Sequence, residues 1–157
     1  MTNHVFRSLI PLDKLSLADE LAAWQITPYP RSTSHPETLT IEMQDGTMCR
    51  SKSERAISDE LIRYGIPYRY ECPISLGGRT ITPDFIVRNR RTGDTFIQEH
   101  FGRMEDQSYF ENNFVYKMRL YIANGDVPGV NLITTYETSS QPLNLSQIRS
   151  LIEAFLL

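Results

Sequence analysis

The sequence has only two cysteines in 157 residues, Cys49 and Cys72, and no C-x-x-C pair. That excludes a disulfide framework and gives no zinc signature, so both are read as inert thiols. Lysine is scarce: of sixteen basic residues only Lys14, Lys52 and Lys117 are lysine. No uninterrupted apolar run approaches the ~20 residues of a membrane span. Met1-Thr2-Asn3-His4 lacks the charged start and apolar stretch of a secretion signal. The expectation is a cytoplasmic protein with no membrane partner. Internal repeats and low-complexity tracts are also missing. Positive charge is in deficit: the formal net charge is −3, which argues against strong sequence-blind binding to a long polyanion but leaves room for a local basic patch.

What is present is ordinary for a globular chain. Apolar residues make up 40% and charged residues 22%, enough for one compact domain with a real core. The basic residues are mostly arginine, which suits bidentate phosphate contact.

The patterning divides the chain into an N-terminal extension, residues 1–50, packed on a core of residues 51–157. After an initial loop, Ser16 and Asp19 have capping spacing, and Leu17, Leu21 and Trp24 give an apolar stripe, so a helix is predicted over about 17–24. Pro28, Pro30 and Pro36 mark a loop. Gln44-Asp45-Gly46 between 38–43 and 47–50 reads as a hairpin turn. Residues 1–48 are a candidate interaction or specificity element. Ser51 and Glu54 form a capping-box pair opening a helix to about Tyr64, stopped by Gly65 and Pro67. Strands are expected at 68–74, 80–88 and 95–101, the first two joined by Gly77-Gly78. A helix over about 109–124, a strand at 130–135 and a helix over about 145–155 follow. The core order is helix, three strands, helix, strand, helix, and its strand–helix–strand step implies a parallel pair with a right-handed crossover.

Two carboxylates stand on neighbouring arms of the expected hairpin. Asp84 shares a strand face with Ile86, and Glu99 shares one with Ile97 and Phe101. Each long helix also carries a polar residue where its pattern calls for an apolar one. In the 109–124 helix, Phe110, Phe114, Met118 and Tyr121 form the inward stripe at about 100° per residue, and Lys117 projects between Phe110 and Tyr121. In the 52–64 helix, Glu54 lies near the centre of a face set by Ile57, Leu61 and Ile62. Each has a plain reading: a capping glutamate, a strand-end aspartate, a surface-paired glutamate, a snorkelling lysine. Together, three carboxylates and one lysine aimed at one place are what a Mg²⁺ site for phosphodiester cleavage requires. Hard cations take oxygen ligands, and a nearby ammonium offsets charge developing on phosphate.

Pro83-Asp84, a strand bearing Glu99, and the helix–three-strand–helix–strand order resemble the PD-(D/E)XK nuclease superfamily, with its restriction-endonuclease-like fold. The wider run of Ser51–Glu54, Gly65–Glu71, Glu99-His100-Phe101-Gly102, Tyr109, Lys117 and Tyr121 is similar to a small bacterial subgroup of it. The likeness covers roughly residues 48–137. It implies an α/β fold with an α-β-β-β-α-β core: a central mixed sheet flanked by helices. It also implies a metal-dependent DNA nuclease, with Asp84 and Glu99 as ligands to Mg²⁺ or Mn²⁺ and Glu54 as an additional acid. The superfamily's lysine position is Phe101 here, so Lys117 is taken as its replacement. A rival alignment pairs Gln98 with His100, giving His100 the lysine's part. Lys52, Arg55 and Arg103 are candidates for phosphate contact and Tyr109 for substrate contact, while Arg88, Arg90 and Arg91 form a basic cluster in the hairpin turn. Cutting both strands of a duplex would favour a homodimer. The alternative is a catalytically inactive module of the same fold that binds nucleic acid or a protein partner.

Overall fold

A computed structural model describes residues 15–157; the expected initial loop and Lys14 lie outside them. The architecture is mixed α/β. Helix α1 is Leu17–Ile26, with Ser16 capping it through a hydrogen bond from the Asp19 amide to the Ser16 hydroxyl. Strands β1 (Ile41–Glu42) and β2 (Met48–Cys49) make a short antiparallel hairpin. Helix α2 is Lys52–Arg63, and its N-terminus carries the full Ser51–Glu54 capping box. The strands β3 (Tyr68–Tyr70), β6 (Phe85–Arg88), β7 (Thr95–Phe101) and β8 (Leu132–Tyr136) form the central sheet in that spatial order. The pairs β3–β6 and β6–β7 are antiparallel, whereas β7–β8 is parallel, joined by the crossover helix α3, residues 107–123. Helix α4 is Leu145–Phe155.

Each face of the sheet is covered. On one side Ile57 and Leu61 of α2 and Ile148 and Ile152 of α4 pack on Tyr68, Tyr70, Phe85, Val87 and Phe96. Met43 and Cys49 of the β1–β2 hairpin join that same cluster. On the other side Tyr121 of α3 packs on Ile97 and Leu132. Burial of such an aliphatic side chain contributes ~1.5–3 kcal/mol. Alternation along β7 follows from this. Phe96 faces α2 and α4, and Ile97 faces α3, so Glu99 and Phe101 also face α3.

Several expectations are corrected. The predicted strand 68–74 stops at Tyr70, because Glu71 takes a left-handed backbone (φ 47°) that ends the ladder. The predicted strand 80–88 is two strands: β5 (Arg79–Ile81) pairs with β4 (Ile74–Leu76) in a separate ribbon, and the sheet strand resumes at Phe85. Pro83 accounts for the break, since it has no N–H to give a ladder. Gly77-Gly78 therefore turns the β4–β5 ribbon and does not join two sheet strands. Helix α3 spans 107–123, but its middle, Phe110–Val115, is a π-helical segment between α-helical Gln107–Tyr109 and Tyr116–Ala123. That wider turn breaks the 100° phase, and Phe110, expected inward, is exposed. Ile62 is exposed too, and Val130 lies outside β8 and is exposed. No helix among the described residues is long and apolar enough to cross a membrane.

Candidate active site

At the end of the sheet where β6 begins and β7 finishes, an open cleft of about 830 Å³ is lined by Glu54, Asp84, Glu99, His100 and Lys117, with Arg50, Glu71, Arg103, Tyr109 and Glu137 around them. Register explains why the strand acids meet. Phe85 is opposite Gln98 in the antiparallel pair, so Asp84 and Glu99 stand next to one another on the α3 face.

Glu99 is 1% exposed. Its carboxylate accepts from Lys117 Nζ at 2.9 and 3.1 Å and from the Tyr121 hydroxyl. The Lys117 ammonium also donates to the Thr82 carbonyl, 3.1 Å away, in the break between β5 and β6. Burial pushes the Glu99 carboxyl up to about 7; the Lys117 charge opposes this and the Asp84 charge adds to it. Burial works against the Lys117 ammonium, yet the Glu99 and Asp84 charges hold it above its ordinary value. The lysine is therefore a cation at neutral pH, fixed in the cleft rather than snorkelling to solvent. Asp84 is oriented from β7: its Oδ2 accepts from the His100 amide at 2.7 Å.

Glu54 arrives from α2. Its Oε2 takes bonds from the Arg50 and Ser51 amides and, at 2.8 Å, from the Tyr70 hydroxyl. Capping and cleft-facing roles thus coexist in one side chain. Burial first, and the Asp84 charge second, push its carboxyl up to about 7. The Asp84 charge is close enough to penalise the ionisation of both Glu54 and Glu99, which marks a place that favours a cation.

The structure separates the other candidates. His100 lies on the α2 side of β7 with both ring nitrogens engaged: Nδ1 is 2.9 Å from the Thr135 hydroxyl and Nε2 is 3.0 Å from Glu137 Oε1. That leaves its main-chain N–H, not its ring, in contact with the strand acids. Gln98 is buried and does not line the cleft, so the cleft gathers only His100 of the rival pair. Arg103 and Tyr109 line the cleft, but Arg103 is paired with Asp106 at 2.7 Å. Lys52 and Arg55 are exposed on α2 and do not line it. The Arg88–Arg91 cluster sits at the far end of the β6–β7 hairpin. There Arg88 pairs with Glu20 at 2.7 Å and Arg90 donates to the Tyr64 carbonyl. Phe101 is buried between Phe114 and Tyr136, with ring centroids 4.9 and 5.9 Å away.

Two groups escaped the sequence reading. Glu137, just past β8, accepts from the Ser53 hydroxyl, approaches His100, and accepts from the Leu143 amide at 2.8 Å, so one carboxylate ties α2 to β7. Arg50 pairs with Glu71 and donates to the Ser34 and His35 carbonyls at 2.6 and 2.7 Å, pinning the 32–38 loop over the cleft mouth. Neither has a local sequence signal, since every contact is long-range or lies in irregular chain.

Among the described residues no group of three or more His, Cys, Asp or Glu side chains is placed to hold a metal ion. The donor chemistry still fits a hard cation. The cleft has five carboxylates (Glu54, Glu71, Asp84, Glu99, Glu137) against Arg50, Arg103 and Lys117. Mg²⁺ sites commonly draw one or two carboxylates from the protein and fill the remainder with water and phosphate oxygens.

No family model matches this chain, and no curated protein matches it in sequence.

Proposed function

We propose that the protein is a metal-dependent nuclease that hydrolyses phosphodiester bonds, built on a restriction-endonuclease-like core. The observation that carries this reading is the convergence of Glu54, Asp84, Glu99 and Lys117, from four different elements, on one cleft. Supporting the fold assignment are the order β3-β6-β7-β8, its antiparallel–antiparallel–parallel pattern, and the placing of α2 before it and α3 within the crossover.

Asp84 and Glu99 would hold Mg²⁺ or Mn²⁺, which when bound polarises a phosphoryl oxygen and offsets the charge developing there. The protein's own part is orientation and electrostatics. The His100 amide fixes one oxygen of Asp84, which lines the cleft. Tyr121 and Lys117 hold the Glu99 carboxylate. Lys117, kept charged by its acidic neighbours, is positioned to stabilise a phosphate oxyanion in low dielectric. Glu54, pushed up to about 7, is poised to exchange a proton near neutral pH.

The test is DNA cleavage with Mg²⁺ or Mn²⁺ by the wild-type chain, by Asp84→Ala and by Glu99→Ala, with folding followed by circular dichroism. Cleavage is expected from the wild type alone. Activity surviving in either variant removes that carboxylate from the mechanism, and a folded, wholly inactive wild type points to a binding module of the same fold.

A further inference from the structure

The wall of the cleft contributed by α3 is unlike a surface for duplex backbone. Proteins grip a duplex mainly through lysine and arginine on phosphate. Here the exposed cation at the rim is Arg103, already paired with Asp106, and the α3 wall presents Tyr109, Asn112, Asn113 and Tyr116. Asn112 and Asn113 belong to the π-helical segment, a distortion frequent at functional sites, and its wider turn takes side chains out of helical phase. Its aromatic residues Phe110 and Phe114 pack toward Phe101, with ring centroids 5.2 Å apart and 4.9 Å from Phe114 to Phe101. The amides are thereby turned to the cleft. Tyr116 is 44% exposed and makes no ring contact among the described residues, and the Asn113 carboxamide has no side-chain hydrogen bond there. An open phenol ring and an unsatisfied amide are what a base presents itself to: a π face to stack on, and a donor–acceptor edge to pair with. Base faces and Watson–Crick edges are available only where strands are unpaired.

Resting on the nuclease reading, we infer that this wall recognises the bases of an unpaired nucleic-acid strand, with Tyr116 stacking on a base and Asn113 reading its edge, so that the substrate is single-stranded at the scissile position. The excess of carboxylates in the cleft favours the same substrate. A single strand brings half the phosphate charge of a duplex and gains affinity from stacking, which salt does not screen.

The experiment measures fluorescence anisotropy with full-chain Asp84→Asn in Mg²⁺, a change that keeps an oxygen for the His100 amide while blocking turnover. The probes are a labelled mixed-sequence DNA strand, the same strand annealed to its complement, the same strand with abasic sites throughout, and the matching RNA. The single strand is expected to bind at least ~10-fold tighter than the duplex or the abasic strand, because neither of those offers a free base to stack on the ring. The DNA and RNA arms tell which strand is preferred. Adding Tyr116→Ala or Asn113→Ala should lose ~10-fold on the base-bearing strand and little on the abasic one, whereas Tyr116→Phe, which keeps the ring, should bind as before. Duplex bound as tightly as single strand, abasic bound as tightly as base-bearing, or a Tyr116→Ala variant without effect each overturns the inference and leaves the nuclease reading standing. No binding of any probe overturns both.

Discussion

The Lys117 ammonium and the Glu99 carboxylate form a two-oxygen ion pair, 2.9 and 3.1 Å, in which the acid is fully enclosed and the lysine side chain only 17% exposed. Such a pair is costly to break from one side, because the partner left behind is a buried uncompensated charge. Lys117→Met should lower stability by ~3–5 kcal/mol at pH 8 in urea titrations. Adding Glu99→Gln should recover part of that loss while leaving the protein without cleavage activity. If Lys117→Met alone costs nothing, the pair is not the buried unit described above.

On the proposed nuclease reading a lysine is expected at position 101, and the packing of Phe101 shows why one there would be no remedy. Phe101→Lys would drive an ammonium between Phe114 and Tyr136. The expected result is destabilisation by several kcal/mol and no rescue of cleavage in a Lys117→Met background. Thermal melts and a cleavage assay check the two halves; restored cleavage would show that Phe101, not Lys117, marks the functional position.

The carboxyls of Glu54 and Glu99 are both raised from an ordinary 4.5 to about 7. The fold favours their protonated forms, so their contribution is fully present below about pH 4.5 and is lost as pH rises through about 7. The melting temperature of metal-free protein should fall from pH 5.5 to pH 8, with a shallower fall in Glu54→Gln. Mg²⁺ must displace protons to bind there, so it should raise the melting temperature more at pH 8 than at pH 5.5. An equal Mg²⁺ shift at the two pH values would place the ion away from these acids.

Glu137 touches no strand acid, yet it holds His100 on one side and Ser53, the neighbour of Glu54, on the other. It is a positioning residue. Glu137→Ala should reduce kcat by ~10–100-fold, the range seen for groups that orient ligands, with KM nearly unchanged. Glu137→Gln, which retains an acceptor, should recover much of the loss. A change confined to melting temperature would make the residue a structural tie only.

Local signals were legible wherever the chain decides its own conformation. The Ser16 and Ser51 caps, strand Thr95–Phe101 and helix Leu145–Phe155 stand where spacing put them. The approach of Glu54, Asp84, Glu99 and Lys117 to one cleft was legible too, because each is a polar residue in an apolar pattern, with sheet alternation setting the side of the two strand acids and helical phase that of Glu54 and Lys117. What escaped depends on chain far away or on a departure from regular geometry. The expected 80–88 strand ignored that Pro83 cannot donate to a ladder. The inward placing of Phe110 assumed 3.6 residues per turn through a segment that is π-helical. Lys52 and Arg55 lie within two residues of Glu54, but a helix carries adjacent residues about 100° apart, and both are exposed away from the cleft. Glu137 and Arg50 act through partners up to 84 residues distant, Ser53 for Glu137 among them.

The β4–β5 ribbon leaves the central sheet at Thr82-Pro83 and shares no ladder with it. Its base is nevertheless woven into the cleft side of the molecule: Ile81 packs with Ile97, Tyr121 and Leu132, residues 80–82 line the cleft, and the Thr82 carbonyl accepts from Lys117. Any tilt of this arm is therefore transmitted to the lysine it anchors.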